Sequence, residues 1–176
     1  MHPLPSHAQA GIAAQGALAA HAQGKFFELH EKLYENMRAL SREKVIELAK
    51  ELKLDMDRFT KDLDSEAVKA KVVAETKEVV DIGATGTPAS FVNGRYVSGA
   101  KPAEFWKQMI DEELKWAREG NRPTFTTGKN VREASPQQAA QKGPDPAKAY
   151  DIPVGAAPIV GSTKAKVTIL HYLDYQ

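Results

Sequence analysis

Cysteine is missing from all 176 residues. Its absence excludes, within this chain, a thiol nucleophile, a disulfide and any cysteine-ligated metal. An excess of one charge is missing too: 24 basic against 23 acidic residues leave a formal net charge of +1. That balance gives no electrostatic footprint for nucleic acid or an anionic membrane, and neither is expected as a partner. No apolar run is long enough to span a bilayer. The five histidines, His2, His7, His21, His30 and His171, form no H-x-x-x-H pair and no H-E-x-x-H pattern, so no metal or cofactor is expected. G-x-S-x-G, P-loop and G-x-G-x-x-G motifs are absent as well. An Ala-rich stretch, Gly11–Gly24, imitates a signal peptide. It lacks Lys or Arg in front and carries Gln15 in its middle, so a packed helix is expected and no signal peptide.

What is present is organised in two textures. Residues 8–82 carry helical periodicity. After the Ala-rich helix, with Gly24 as its stop, Phe26, Leu29, Leu33 and Met37 recur at helical spacing. Ser41 is placed to cap a third helix bearing Val45, Leu48, Ala49 and Leu52, and Asp55 or Asp57 a short fourth around Phe59 and Leu63. Ser65 opens a fifth that Gly83 ends. Residues 83–120 differ. Ala89–Val92 and Arg95–Val97 read as strands joined by Asn93-Gly94, the type I′ hairpin signal. Lys101–Gly120 reads as a helix with Pro102 at N1, Gly120 past its end and Phe105, Met109, Ile110 and Leu114 as its buried stripe. Residues 121–155 read as a Pro-rich linker. In 156–176, Ala157–Ile159 reads as a short strand and Val167–Leu173 as a buried one. The whole is α/β or α+β, helix-rich, with a small sheet.

Few residues stand out for chemistry. Pro88 opens a predicted strand, where a proline needs a reason, because it cannot donate to a ladder. A cis Thr87-Pro88 bond is one reason; the frequency of X-Pro bonds alone favours trans. His171 lies inside an apolar run and reads as a satisfied sheet histidine. Asp174, Tyr175 and Gln176 follow at the strand's C-terminal end, where open α/β sheets bind ligands, and form a candidate rim. The helical acidic residues are interleaved with Lys and Arg and read as solvated surface.

The order HPLPSHAQA, AAHAQGKFFELHEKLYEN, IGATGTPASFVNGRYVSGAKP resembles the DsbA-like branch of the thioredoxin superfamily over residues 2–120. The tail, IPVGAAPIVGSTKAKVTILHYLDYQ, resembles the opening strands of the same family, which there lead into a C-x-x-C redox motif. Relative to the family the pieces are rotated, and the C-x-x-C is not in this chain. A fragment of a tandem protein fits this order. So does a reading frame bounded by a UGA codon that encodes selenocysteine.

The resemblance implies a thioredoxin-like fold of DsbA type with a helical insertion at 8–82. It is incomplete, or is completed by the C-terminal strand from the same or a neighbouring chain. It implies thiol-disulfide exchange as the family's chemistry, with this chain redox-inactive and without catalytic residues of its own. It implies a cis-proline at Pro88 and a loop of Gly86, Thr87 and Pro88 that offers backbone to an extended or unfolded protein substrate. It further implies an extracytoplasmic, periplasmic location. Val167–Tyr172 is expected to pair with Ala89–Val92 as a central strand, in its own unit or in a strand-swapped homo-oligomer. Two other functions fit the same fold: a non-catalytic peptide-binding module, and a glutathione-dependent isomerase or transferase.

Overall fold

The computed structural model describes residues 1–123, 126–127, 144, 148–152, 154 and 157–175. They form two compact units, Met1–Glu78 with Leu173–Gln176, and Val79–Tyr172.

The first unit is helical. Its elements are α1 (Ala10–His21), α2 (Phe26–Glu35), a 3-10 turn (Met37–Ala39), α3 (Arg42–Glu51), α4 (Met56–Leu63) and most of α5 (Glu66–Asp81). Local chemistry sets the boundaries. Gly24, at φ 73°, turns the chain out of α1. Ser41 Oγ accepts from Lys44 N at 3.1 Å and starts α3. Between the two candidate caps of α4, Asp55 is the cap, accepting from Arg58 N at 3.0 Å. Alanines bury α1 against α2, α3 and α4. Gly16 is required for that approach, because a Cβ there would collide with Val45 Cγ1 on α3. Leu29, Leu33, Val45, Phe59 and Leu63 are fully buried around it, together with Tyr175.

The second unit carries a five-stranded sheet. The strands are β1 (Ala89–Val92), β2 (Arg95–Ser98), β3 (Thr126–Thr127), β4 (Lys148–Ala149) and β5 (Ile169–Tyr172), in the order β3-β4-β2-β1-β5. Asn93 (φ 45°) and Gly94 (φ 84°) both adopt the left-handed conformation that the hairpin turn needs. β1 is buried throughout and pairs antiparallel with both neighbours: Ala89 faces Ser98 on one side and Tyr172 on the other. Phe91, Tyr150 and Tyr172 share one core cluster. α6 (Ala103–Glu119) ends at Gly120, φ 67°.

Five sequence expectations change here. Pro102 stands one position earlier than N1, at the N-cap of α6. The apolar stripe of α6 is only half-buried at Phe105, Met109, Ile110 and Leu114, and the one buried residue of that helix is Glu113. β5, expected as a covered central strand, pairs with β1 as expected but with no other strand among the described residues. Of its residues only Tyr172 is buried, and Ile169 is 42% exposed, because one face of the strand is left uncovered. Ala157–Ile159 forms no strand. Finally, the end of the segment read as linker packs onto the domain. Lys148–Ala149 joins the sheet, Tyr150 N donates to Gly94 O at 2.9 Å, and Tyr150 and Ile152 are buried. Glycine at position 94 permits this, since a Cβ there would meet Tyr150 O at 2.5 Å.

Candidate functional site

In the second unit, Gly83 (φ 90°) turns the chain just past the end of α5, and a short loop leads into β1. Gly86 is exposed, and Thr87 and Pro88 are half-buried. The Thr87-Pro88 peptide bond is cis. Pro88 O accepts from Gly99 N at 2.9 Å, which ties the loop to the end of β2. Among the described residues, no hydrogen bond engages the backbone N–H or C=O of Thr87. A Cβ at Gly86 would meet nothing within 4 Å, and its φ is not positive. The glycine therefore answers no packing demand within the fold and leaves the front of the loop open. An exposed turn with an unused amide and carbonyl is equipped to pair with an extended chain.

At the other end of the hairpin the same unit is fastened by a polar knot. Glu113, 1% exposed, accepts from Asn93 Nδ2 (3.0 Å), Arg122 Nε (2.9 Å), Arg122 Nη2 (3.3 Å) and Arg95 Nη1 (3.3 Å). Burial raises the carboxyl's pKa, but the bonds from Arg122, Asn93 and Arg95 and the charge of Arg122 outweigh it and hold the group below the usual carboxylate range. Asn93 also accepts from Thr168 N through Oδ1 at 2.8 Å and donates to Lys166 O at 3.2 Å. In the ladder, Ser90 Oγ lies 2.5 Å from His171 Nδ1, and desolvation pushes that imidazole below the ordinary histidine value.

The other predicted site residues belong to the first unit. Asp174 and Tyr175 do not form an exposed rim: they are 5% and 0% exposed. Asp174 Oδ2 accepts from Leu4 N at 3.0 Å and pairs with His7 Nδ1 at 2.5 Å. Its Oδ1 is buried and has no hydrogen-bond partner among the described residues. Tyr34 Oη donates to Asp174 O, and Tyr175 Oη lies 2.9 Å from His30 Nδ1. Burial, and secondarily the charge of Asp174, pushes the Tyr34 phenol up to about 12; burial also raises Tyr175. Gln176 lies outside the described residues. No group of three or more His, Cys, Asp or Glu side chains able to hold a metal occurs among the described residues.

Sequence reasoning missed His7, His30 and Tyr34 as partners of the DY pair, and Glu113 as a hub. The first three meet Asp174 and Tyr175 across 140 or more positions, and no local spacing announces such a contact. Glu113 interrupts an apolar helix face, and a carboxylate at the inner edge of a predicted stripe was a usable signal.

Comparison with known proteins gives a consistent picture. A model described as the DSBA-like thioredoxin domain matches residues 4–111. The chain is 38% identical over 119 residues to the Na(+)/H(+) antiporter NhaA of Herminiimonas arsenicoxydans, covering 68% of this chain and 18% of that protein. It is 28% identical over 112 residues to the probable disulfide bond formation protein D of Bacillus anthracis, covering 60% of this chain and 51% of that protein. The chain thus spans at most about half the length of these curated relatives. No solved structure matches.

Proposed function

The chain belongs to the DSBA-like thioredoxin domain family, and from that premise we propose that it is the substrate-holding part of a thiol-disulfide oxidoreductase unit, redox-inactive by itself. Disulfide exchange needs a thiolate that attacks one sulfur and displaces the other. None of these residues can supply it, since the chain holds no cysteine. What the chain does supply is the Gly86–Pro88 loop. The observation that carries the reading is the half-buried Thr87 behind an exposed glycine, with backbone groups that have no partner among the described residues. An extended polypeptide docks there by main-chain hydrogen bonds, which are indifferent to sequence and suit an unfolded substrate. An extracytoplasmic setting, typical of the family, accords with this role. The antiporter name attaches to the relatives that carry it. Among the described residues, no helix is long and apolar enough to cross a membrane.

The test uses the chain as it is. A disulfide-reductase assay is expected to show no turnover above background, and turnover would overturn the redox-inactive reading. An unfolded, cysteine-blocked polypeptide titrated into labelled protein is expected to shift the amide resonances of Gly86–Ala89. Gly86→Val projects into open space, so the fold should hold while binding falls at least fivefold. Unchanged binding would sink the loop as the site.

A further inference from the structure

Of the four asparagines, Asn36, Asn93, Asn121 and Asn130, only Asn93 is followed by glycine. In such a pair the glycine nitrogen can attack the asparagine's side-chain carbonyl carbon, because glycine has no Cβ to hinder the approach. We propose that Asn93 is a covalent modification site. It deamidates when the segment at residues 166–168 lets go of it, and the product cannot fasten that segment again. In the reaction a bond forms from Gly94 N to Asn93 Cγ. The Cγ–Nδ2 bond breaks, and Nδ2 takes the Gly94 N–H proton and leaves as ammonia. Water then opens the cyclic imide. Opening at Cγ gives aspartate, and opening at the main-chain carbonyl gives isoaspartate. Nothing is oxidised or reduced, and water is the one co-reactant. Asn93 and Gly94 are half-buried rather than sealed in, so water reaches them.

The fold holds the reaction back. Attack turns Cγ from planar to tetrahedral and swings Oδ1 and Nδ2 out of the amide plane. Both atoms are held by partners. Oδ1 accepts from Thr168 N at 2.8 Å, and Nδ2 donates to Glu113 Oε2 at 3.0 Å and to Lys166 O at 3.2 Å. The backbone is tied as well, since Asn93 N donates to Thr168 O at 2.9 Å. Ring closure therefore waits on a local opening that frees the carboxamide.

Conversion then changes what the turn can hold. Aspartate tolerates a left-handed φ of 45° as asparagine does, so the turn itself survives. The donor does not. An acceptor oxygen replaces Nδ2 and faces two further acceptors, Glu113 Oε2 and Lys166 O. Two carboxylates at that separation repel each other. Arg95 and Arg122 both donate to Glu113, but neither restores the lost bond to Lys166 O. Isoaspartate adds its side-chain carbon to the main chain as well, which lengthens the connection between β1 and β2. Either product loosens the entry of β5 into its ladder with β1.

The sequence makes the site easy to follow. Tryptic cleavage after Lys77 and Arg95 releases residues 78–95, in which Asn93 is the one amide side chain. The mass gain of that peptide reports this residue alone. At mildly alkaline pH, conversion is expected to be roughly tenfold or more slower in the folded chain than in urea, because only the opened fraction reacts. Glu113→Gln weakens the hold on Nδ2 by removing its charge. It is expected to speed conversion of the folded chain about fivefold and to leave the rate in urea unchanged. A second measurement does not depend on that variant folding. Sucrose, which favours the closed state, is expected to slow conversion and Thr168 N–H exchange in parallel. Asn93→Asp is expected to keep the helical circular dichroism while amide exchange at Ile169–Tyr172 rises roughly tenfold. Absence of conversion in urea would overturn the site. Equal rates folded and in urea would overturn the gating, as would sucrose slowing Thr168 exchange but not conversion. Unchanged exchange along β5 in Asn93→Asp would overturn the consequence.

Discussion

Replacing Glu113 by alanine tests how the hairpin and β5 are held. The substitution removes the acceptor of four hydrogen bonds at a residue 1% exposed. Breaking a buried ion pair from one side costs about 3–5 kcal/mol, mainly because the partner charge is left uncompensated. Here the partners keep alternatives. Arg95 still meets Glu112 at 2.6 Å and lies over the Trp116 ring at 5.1 Å, and Arg122 still reaches Asn93 O at 3.0 Å. The expected loss is therefore the lower end of that range, roughly 3 kcal/mol. For a chain of this length that is a fall of about 6–12 °C in Tm. Both tryptophans, Trp106 and Trp116, lie on α6, so urea unfolding followed by their fluorescence reports on this unit. The pH dependence supplies a second reading. The carboxyl's folded pKa lies below its ordinary value. Its contribution is therefore fully present above the unfolded pKa, about 4.3, and is lost as pH falls through the folded value. The stability gap between the native chain and Glu113→Gln should be open at pH 7 and shrink below about pH 4. A Glu113→Ala loss under about 1 kcal/mol would refute the hub. So would a native-to-Gln gap that does not change with pH.

Other perturbations reach other joints. Gly94→Ala forces a side chain into a left-handed position and against Tyr150 O; it should cost about 1–3 kcal/mol and speed amide exchange at Lys148–Ile152, while slow exchange there would contradict the packing described. Gly16→Ala drives a methyl into Val45 and should cost about 1–3 kcal/mol; adding Val45→Ala should recover part of that loss in a double-mutant cycle, and strict additivity would show that the two residues do not meet. The Tyr34 phenol, pushed up to about 12 by burial and the Asp174 charge, should titrate late in ultraviolet absorbance. Since its folded pKa lies above the unfolded value of about 10, the stability it lends is complete below about pH 10 and drains away between there and about 12. The difference spectrum between the native chain and Tyr34→Phe isolates this phenol, and a transition near 10 in that spectrum would contradict the assignment.

Much of the fold could be read because its determinants are local. Ser41, Gly24 and Gly120 mark helix ends through their own backbone chemistry, and Asn93-Gly94 defines a turn that few other pairs can make. The Gly86–Pro88 loop was visible for the same reason. What escaped depends on distant partners. β5 has the composition of a covered strand, yet composition cannot count neighbours, and among the described residues the strand pairs only with β1. Tyr150 and Ile152 sit in a stretch rich in proline and polar residues, and their burial depends on Gly94 presenting bare backbone more than fifty positions earlier. Asp174 looked like a rim residue because it follows a strand. Its burial follows from His7 and Leu4, at the opposite end of the sequence.

The two devices of the second unit explain each other. β1 follows directly on Pro88 and ends at the Asn93 turn, so the Gly86–Pro88 loop is only as well placed as that strand. β1 is flanked on one side by β2, joined to it by a tight turn, and on the other by β5, which arrives from some seventy residues further on. Closing so long a loop costs little more than closing a short one, since the penalty grows only with the logarithm of length. Register is the harder problem. A slip of one residue would turn Leu170 and Tyr172 away from Phe91 and bring Ile169 and His171 inward. Asn93 resists that slip, because its side chain accepts from Thr168 N and donates to Lys166 O, taking up the ladder where the turn leaves it. Glu113 in turn orients the Asn93 amide through Nδ2. A buried carboxylate in a helix that otherwise packs loosely thus sets the pairing of the strand opposite, and with it the stiffness of the strand that carries Pro88.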